Sequence, residues 1–523
     1  MVADNWTSMA SLAVFLASLV LLWLYRCRTY FARRGVPYLP PVPFVGNMLP
    51  VVLAREALSE RVLSLYRQLQ PHAYAGVFYF REPVFMINDP EIIRAVTVKD
   101  FDHFNDHLPF GVTDRANPLF KRMLFCLTGK EWQAMRSTLS PAYTTMKMKN
   151  MFVLMSEIGL QVVDYLMKVT NEDEDGSVTL EMKDFYARVT NDVIASTAFG
   201  FRVDSISNPD NEFYRMGRDL TNFSGLRGLI AIGYMIFPRL MEFLNVPFFH
   251  PRTEGFFRSL VSEAMRVREE QKIERQDLIQ LLMQIRSGER ASQADEDGRS
   301  SGRKRTVLDE DGIAAQAMTF FFAGFETVST LMTFCSYLLA THEDVQWRLH
   351  REVKDIVEGS GGQPSYEDVM GCQYLDMVIS ETLRMHSPGA VLDRQCTRPY
   401  VLPATETCPG VELRPGDGIW VPVHGIHRDP KYFPKPDRFD PERFSPKNKH
   451  LIKPFTYFPF GSGPRSCIAQ RFALLETKVL LVHLLSRFHL QLDPRTIIPL
   501  ELDTKNFGLN IKGWTWLCLR RRK

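Results

Sequence analysis

The 523-residue chain lacks a surplus of either charge: 63 Lys and Arg stand against 60 Asp and Glu, a net of +3. That balance excludes a nucleic-acid binder, whose basic excess would have to match a run of phosphates. Paired cysteines are also missing. The eight present (Cys27, Cys126, Cys335, Cys372, Cys396, Cys408, Cys467 and Cys518) are scattered with no CxxC pair. Neither a zinc ribbon nor a disulfide framework follows from them, and a reducing compartment is implied. No internal repeat and no long low-complexity tract is visible, so a solenoid is excluded. Charge is absent altogether from Trp6 to Tyr25, 20 residues, or about 30 Å as a helix, the thickness of a bilayer core.

The flanks of that run orient it. Arg26, Arg28, Arg33 and Arg34 follow it and Asp4 alone precedes it, whereas a secretory signal peptide carries its positive charge in front. The positive-inside rule places the N-terminus in the lumen and the rest of the chain in the cytosol, with a cleaved signal peptide as the alternative. Residues 1–34 are thus expected to be a membrane anchor with a basic flank. Pro37, Pro40, Pro41 and Pro43 make 35–50 a stiff proline-rich hinge. Residues 51–523 form the body, and a hydrophobic share of 45% supports a large core.

Within the body, Tyr74 to Asn88 predicts a hairpin. Apolar residues at three- and four-residue spacing predict mainly helix from Pro90 to about Arg286. Ser287 to Arg305 is polar and predicts a solvated loop. Asp309 to Ala340 predicts a long helix, largely apolar and hence buried. A helix from about Tyr374 to His386 is stopped by Pro388. Short strands are expected near Val391 to Thr397 and Ile419 to His424, with a C-terminal hairpin. The fold class is mainly α with small β-sheets, in one large domain.

Cys467 is the most informative residue. Gly461, Ser462, Gly463 and Pro464 form a turn before it, and Ile468 to Leu485 predicts a long helix after it. A thiol at a helix N-terminus with Arg465 nearby is expected to have a lowered pKa. One thiolate with no second Cys or His beside it suits an axial bond to haem iron better than tetrahedral zinc. A buried structural cysteine is the plain alternative.

The spacing Phe460-x-x-Gly463-x-Arg465-x-Cys467 resembles the haem-ligand loop of the cytochrome P-450 family, with Ala469 where that family usually has Gly. Four more segments resemble it, in the family's order, between Trp132 and Cys467. In Ala323-Gly324-Phe325-Glu326-Thr327, a Gly and a hydroxyl in mid-helix predict a local opening of the ladder. A self-bonded Thr beside a salt-bridged Glu is the alternative. The resemblance implies that this segment lies over the haem and that Thr327 and Glu326 are catalytic, relaying protons. Glu381-Thr382-Leu383-Arg384 and Pro441-Glu442-Arg443-Phe444 imply a structural cluster of Glu381, Arg384 and Arg443. Trp132-x-x-x-Arg136 implies, with Arg394 and Arg465, the grip on the haem propionates. Phe460 and Gly463 belong to the cofactor loop.

The implied activity is that of a haem-thiolate monooxygenase with haem b (iron protoporphyrin IX), most similar to insect microsomal detoxification enzymes. Electrons would come from NADPH through NADPH–cytochrome P-450 reductase, with cytochrome b5 as a further partner. One atom of dioxygen would enter a lipophilic substrate. The implied location is the endoplasmic reticulum membrane. Candidate pocket residues are Phe320, Phe321, Phe325, Val391, Leu392 and Phe507, and Leu226 to Phe249 is a candidate lid or second contact with membrane lipid. Lys121, Arg122, Lys130 and Lys453 are candidates to face the reductase. Rival readings are a haem-thiolate isomerase or dehydratase, a hydroxylase of endogenous hormones or lipids, and a non-catalytic membrane haem protein.

Overall fold

The computed structural model describes residues 2–110, 112, 117–275, 277–287, 308–506 and 508–522. Most of them are helical, around a 32-residue core helix, Glu310–Thr341. Asp309 caps this helix by accepting the Gly312 N–H, and nearly its whole circumference is apolar and buried from Gly312 to Leu339. By length and composition it could cross a membrane, but 67% of its apolar window is buried. Such a helix is the centre of a large domain. It packs against Met182–Ile194 and Pro251–Gln271. The helix Gln470–Arg487, which follows Cys467, packs against Thr145–Asn171.

Among the described residues, nine strands form three small sheets: β1 (Tyr74–Tyr79), β2 (Glu82–Ile87), β3 (Ser177–Glu181), β4 (Val391–Gln395), β5 (Tyr400–Leu402), β6 (Val411–Leu413), β7 (Gly418–Pro422), β8 (Phe488–Leu492) and β9 (Trp516–Arg521). The first sheet has the order β1-β2-β7-β4, with β2 and β7 parallel and the other pairs antiparallel. In its register Arg394 lies opposite Ile419, which sets a buried guanidinium beside the Cys467 loop. The hairpin falls where the alternation placed it, and the two later strands fall near their expected positions.

Three expectations need correction. β3 interrupts the stretch expected to be helical; its alternating Ser-Val-Thr-Leu-Glu was a readable strand signal. The C-terminal pair is no simple hairpin, because β9 lies between β3 and β8 and pairs with both. The proline-rich segment 35–50 is fastened to the body instead of standing free. Leu39 N–H donates to Gly76 O and Gly76 N–H to Pro37 O, while the Asn47 side chain bridges Pro40 O and Phe78 N. Most of the polar run, residues 288–305, lies outside the described residues.

Candidate active site

The turn before Cys467 is shaped by two glycines. Gly461 and Gly463 have φ of 77° and 74°, a region that L side chains rarely adopt. A Cβ on Gly463 would also stand 1.8 Å from the Thr97 carbonyl oxygen. The turn is closed by Cys467 N–H to Phe460 O at 2.8 Å and Ser466 N–H to Gly463 O at 3.0 Å. Ala469, the departure from the family's usual Gly, has φ −95° and ψ 15°, backbone that alanine adopts freely. No glycine is required there.

Cys467 opens into a cavity of about 330 Å³. Phe458, Phe460, Ala469 and Phe472 line its Cys467 side, Val391 and Leu392 a flank, and Phe320, Ala323, Gly324, Thr327 and Leu331 its core-helix side. Ala323 and Thr327 are solvent-accessible in mid-helix although the helix is otherwise buried, so this one face looks onto open space. The three- and four-residue spacing explains which residues reach it. Residues 320, 324, 327 and 331 share the face.

Phe321 and Phe325, expected in the pocket, are one position round the helix. They stack on each other at 5.3 Å and pack with Phe213 and Phe257, so they are core residues. Phe507 lies outside the described residues. Lining residues that the sequence reading missed include Tyr143, whose ring stacks on Phe320 at 5.6 Å, and Thr319 on the core helix. Neither sits in a motif, so no local signal marks it.

The opening expected near Gly324 is not present: the helix is continuous. Thr327 Oγ1 donates to Ala323 O at 2.6 Å, which uses the hydroxyl proton within the helix and leaves the oxygen lone pairs for a donor in the cavity. Gly324 instead serves close packing, since a Cβ there would stand 3.1 Å from Ile194 Cδ1. Glu326 does not line the cavity. Its carboxylate pairs with Lys183 Nζ at 3.0 Å, and the same ammonium donates to Ser329 and Thr330 hydroxyls, each at 2.8 Å.

At the other end of the site two buried guanidiniums converge. Arg465 donates to Asn105 O, Leu127 O and Asp106 Oδ1 and lies 3.9 Å over the Trp132 ring. Arg394 donates to Asp393 O and Ser462 O. Burial pushes both down to about 10, and the charge of Arg394 lowers Arg465 further. Each still has one buried nitrogen without a partner among the described residues, Nε of Arg394 and a terminal nitrogen of Arg465. An unpaired buried donor is costly, and two of them call for an anion between them. Arg136 is half-buried, and burial lowers it while Cys467 and Tyr143 act to raise it.

The Cys467 thiol does not have the lowered pKa that its helix N-terminus predicts. Burial pushes it up, against the Ala469 N–H and the Arg136 charge, which act to lower it. Desolvation outweighs the fixed dipoles here, and a metal cation bound at the sulfur would supply the missing counter-charge.

Glu381, Arg384 and Arg443 meet as a buried cluster. Arg384 binds both Glu381 oxygens at 2.6 and 2.8 Å, and Arg443 reaches Glu381 at 3.3 Å. Arg384 also donates to His427 O and Pro436 O. Of the four basic candidates for docking, Lys121, Lys130 and Lys453 are exposed, but Arg122 is bound by Asp309 at the start of the core helix.

A thiol in the wall of an apolar cavity, with two partner-seeking guanidiniums nearby, fits a haem that Cys467 would hold through its iron and the arginines through its carboxylates. Comparison with known proteins agrees. The family model for Cytochrome P450 matches residues 36–518. Cytochrome P450 9e2 of Blattella germanica is 46% identical over 99% of this chain and 98% of its own length. Probable cytochrome P450 9f2 of Drosophila melanogaster is 40% identical over 97% of this chain and 98% of its own. Cytochrome P450 6j1 of Blattella germanica is 35% identical over 98% and 97%. With its thiol, its paired arginines and its matched length, the chain belongs to the cytochrome P450 family of haem-thiolate monooxygenases and is similar to its insect members.

Proposed function

We propose that the chain is a monooxygenase of the endoplasmic reticulum membrane that oxidises lipophilic foreign compounds, insecticides among them, with electrons from NADPH. The observation that carries this reading is the apolar cavity between Cys467 and the Thr327 face. Its walls are aromatic and aliphatic, with few hydroxyls, which suits a neutral lipophilic substrate.

Cys467 would bind the haem iron as thiolate, and Arg394, Arg465, Arg136 and Trp132 would hold the propionates. The haem supplies dioxygen activation and electron transfer when bound. Thr327 accepts a hydrogen bond from water on the cavity side and fixes that water against the site of reaction. Glu326, once released from Lys183, passes protons towards Thr327. Phe320, Val391 and Leu392 shape the substrate's berth and exclude bulk water.

The helix Val2–Ala32 would cross the membrane with its N-terminus in the lumen. Met9, Val14, Phe15 and Leu21 are more than half exposed along it. The helices Gly225–Ile236 and Pro238–Phe243 expose Leu226, Leu229, Leu240 and Phe243 and would rest on the same membrane. Lys121, Lys130 and Lys453 would face the acidic surface of NADPH–cytochrome P-450 reductase or of cytochrome b5.

The test reconstitutes the full chain with reductase in lipid and supplies a panel of lipophilic compounds. Substrate-dependent NADPH oxidation with an oxygenated product is the expected result. Conversion without NADPH would make the protein an isomerase, and haem reduction with no product from any compound would make it a carrier. Alkaline carbonate should leave the full-length chain with the membrane, and its release intact would remove the anchor.

A further inference from the structure

We infer that His427 is a positioning residue for the Cys467 loop, holding that loop to the buried Glu381–Arg384–Arg443 cluster through the backbone amide of Phe458. The inference rests on Cys467 as the iron ligand, but the contact itself is independent of it.

His427 closes the short helix Val423–His427 and is fully buried. Its Nε2 accepts the Phe458 N–H at 3.0 Å. Its carbonyl oxygen accepts from Arg384 at 2.8 Å. One residue therefore joins the ion cluster, through its backbone, to the first turn of the ligand loop, through its ring. The ring also stacks on Tyr457 at 5.3 Å, and Tyr457 Oη donates to Ser380 O at 3.0 Å. Ser387 Oγ donates to Pro459 O at 3.4 Å. Residues 457, 458 and 459 are thus tied in turn to the cluster's helix at Ser380, to His427, and to Ser387 just past that helix, and the central tie is the imidazole.

An imidazole that accepts from an amide must be neutral with its proton on Nδ1. Burial lowers the His427 pKa well below its ordinary value, with His424, Arg384 and Arg428 acting in the same direction. The Nδ1 atom is buried without a partner among the described residues. A residue kept for packing alone would not carry an unpaired polar atom, since an apolar ring fills the same space without that cost. Phe458 lines the cavity, and residues 459–466, a run of turns and bends with no helix or strand, lead from it to Cys467. Loosening its amide frees the segment whose Phe460 carbonyl accepts the Cys467 N–H.

Three substitutions in the haem-loaded full chain separate acceptor from shape. In His427→Gln the amide oxygen reaches the place of Nε2 and restores the bond. In His427→Asn it falls short of that place, and in His427→Phe the ring remains without an acceptor. Two quantities are read: hydrogen exchange of the peptide carrying the Phe458 amide, and the ratio of red-shifted to unshifted Soret band in the ferrous carbonyl complex. Leaving a buried N–H unpaired should raise exchange and lower the band ratio by roughly ten-fold in the Asn and Phe variants, with Gln close to wild type. Should His427→Phe fail to fold, the Gln and Asn pair carries the same contrast. Unchanged exchange and band ratio in the Asn and Phe variants would overturn the inference, and so would an equal loss in the Gln variant. Faster exchange at Phe458 with an unchanged band ratio would also overturn it, because the amide would then not govern the ligand.

Discussion

Gly463 has no room for a side chain: its φ is 74° and the Thr97 carbonyl occupies the place of a Cβ. Because the obstacle is backbone, no rotamer change relieves it. Gly463→Ala should therefore abolish stable haem loading, measured as haem per protein after purification, whereas Ala469→Gly should retain it. Thr327 is the other residue whose surroundings decide its part. Its hydroxyl proton is spent on Ala323 O, so it acts towards the cavity as an acceptor. Thr327→Ala should preserve the ferrous carbonyl spectrum but lower product formed per NADPH by about ten-fold, with hydrogen peroxide released instead. An unchanged ratio would leave Thr327 as a self-satisfied helix residue.

Among the elements, the helix Gln373–Met385 carries Glu381 and Arg384 to the centre of the protein. Glu381→Ala would strand Arg384, fully buried, with its carboxylate gone, at a cost of about 3–5 kcal/mol. The expected outcome is a lower melting temperature and little haem loading, even though Glu381 lies outside the cavity lining. Glu381, Arg384 and Arg443 were legible because their motifs are short and local. The core helix was legible because its apolar run is long, and the strands Val391–Gln395 and Gly418–Pro422 because short apolar stretches follow the stop at Pro388. What was not legible depends on contacts between distant segments. Lys183 as partner of Glu326 and Asp106 as partner of Arg465 lie far from any motif. Phe321 and Phe325 differ from Phe320 only by rotation about the helix axis, and a run of three phenylalanines carries no sign of which one faces the cavity. The thiol pKa failed for another reason: the helix terminus is local, while desolvation is set by the whole fold.

Across the whole molecule, buried neutral histidines link stability to pH. His424 and His483 are both lowered to about 4 by burial, with His483 beside Ser156 and His424 beside the Ser387 carbonyl. Their folded pKa values lie below the unfolded value near 6.5. The unfolded chain therefore binds more protons, and stability falls as pH drops from about 6.5 towards 4. At pH 5 each contributes a loss on the order of 2 kcal/mol. Thermal unfolding between pH 7 and 5 should show this decline, and His483→Gln should reduce its slope. The same fold-wide burial brings Arg465 and Cys467 to one cavity and Arg394 against the loop that carries them, at Ser462.

The central claim is that Cys467 holds the haem iron as thiolate, and the ferrous carbonyl spectrum tests it most directly. Wild type should show the red-shifted Soret band, and folded, haem-loaded Cys467→Ser should lose it. A red-shifted band that survives in Cys467→Ser would contradict the assignment.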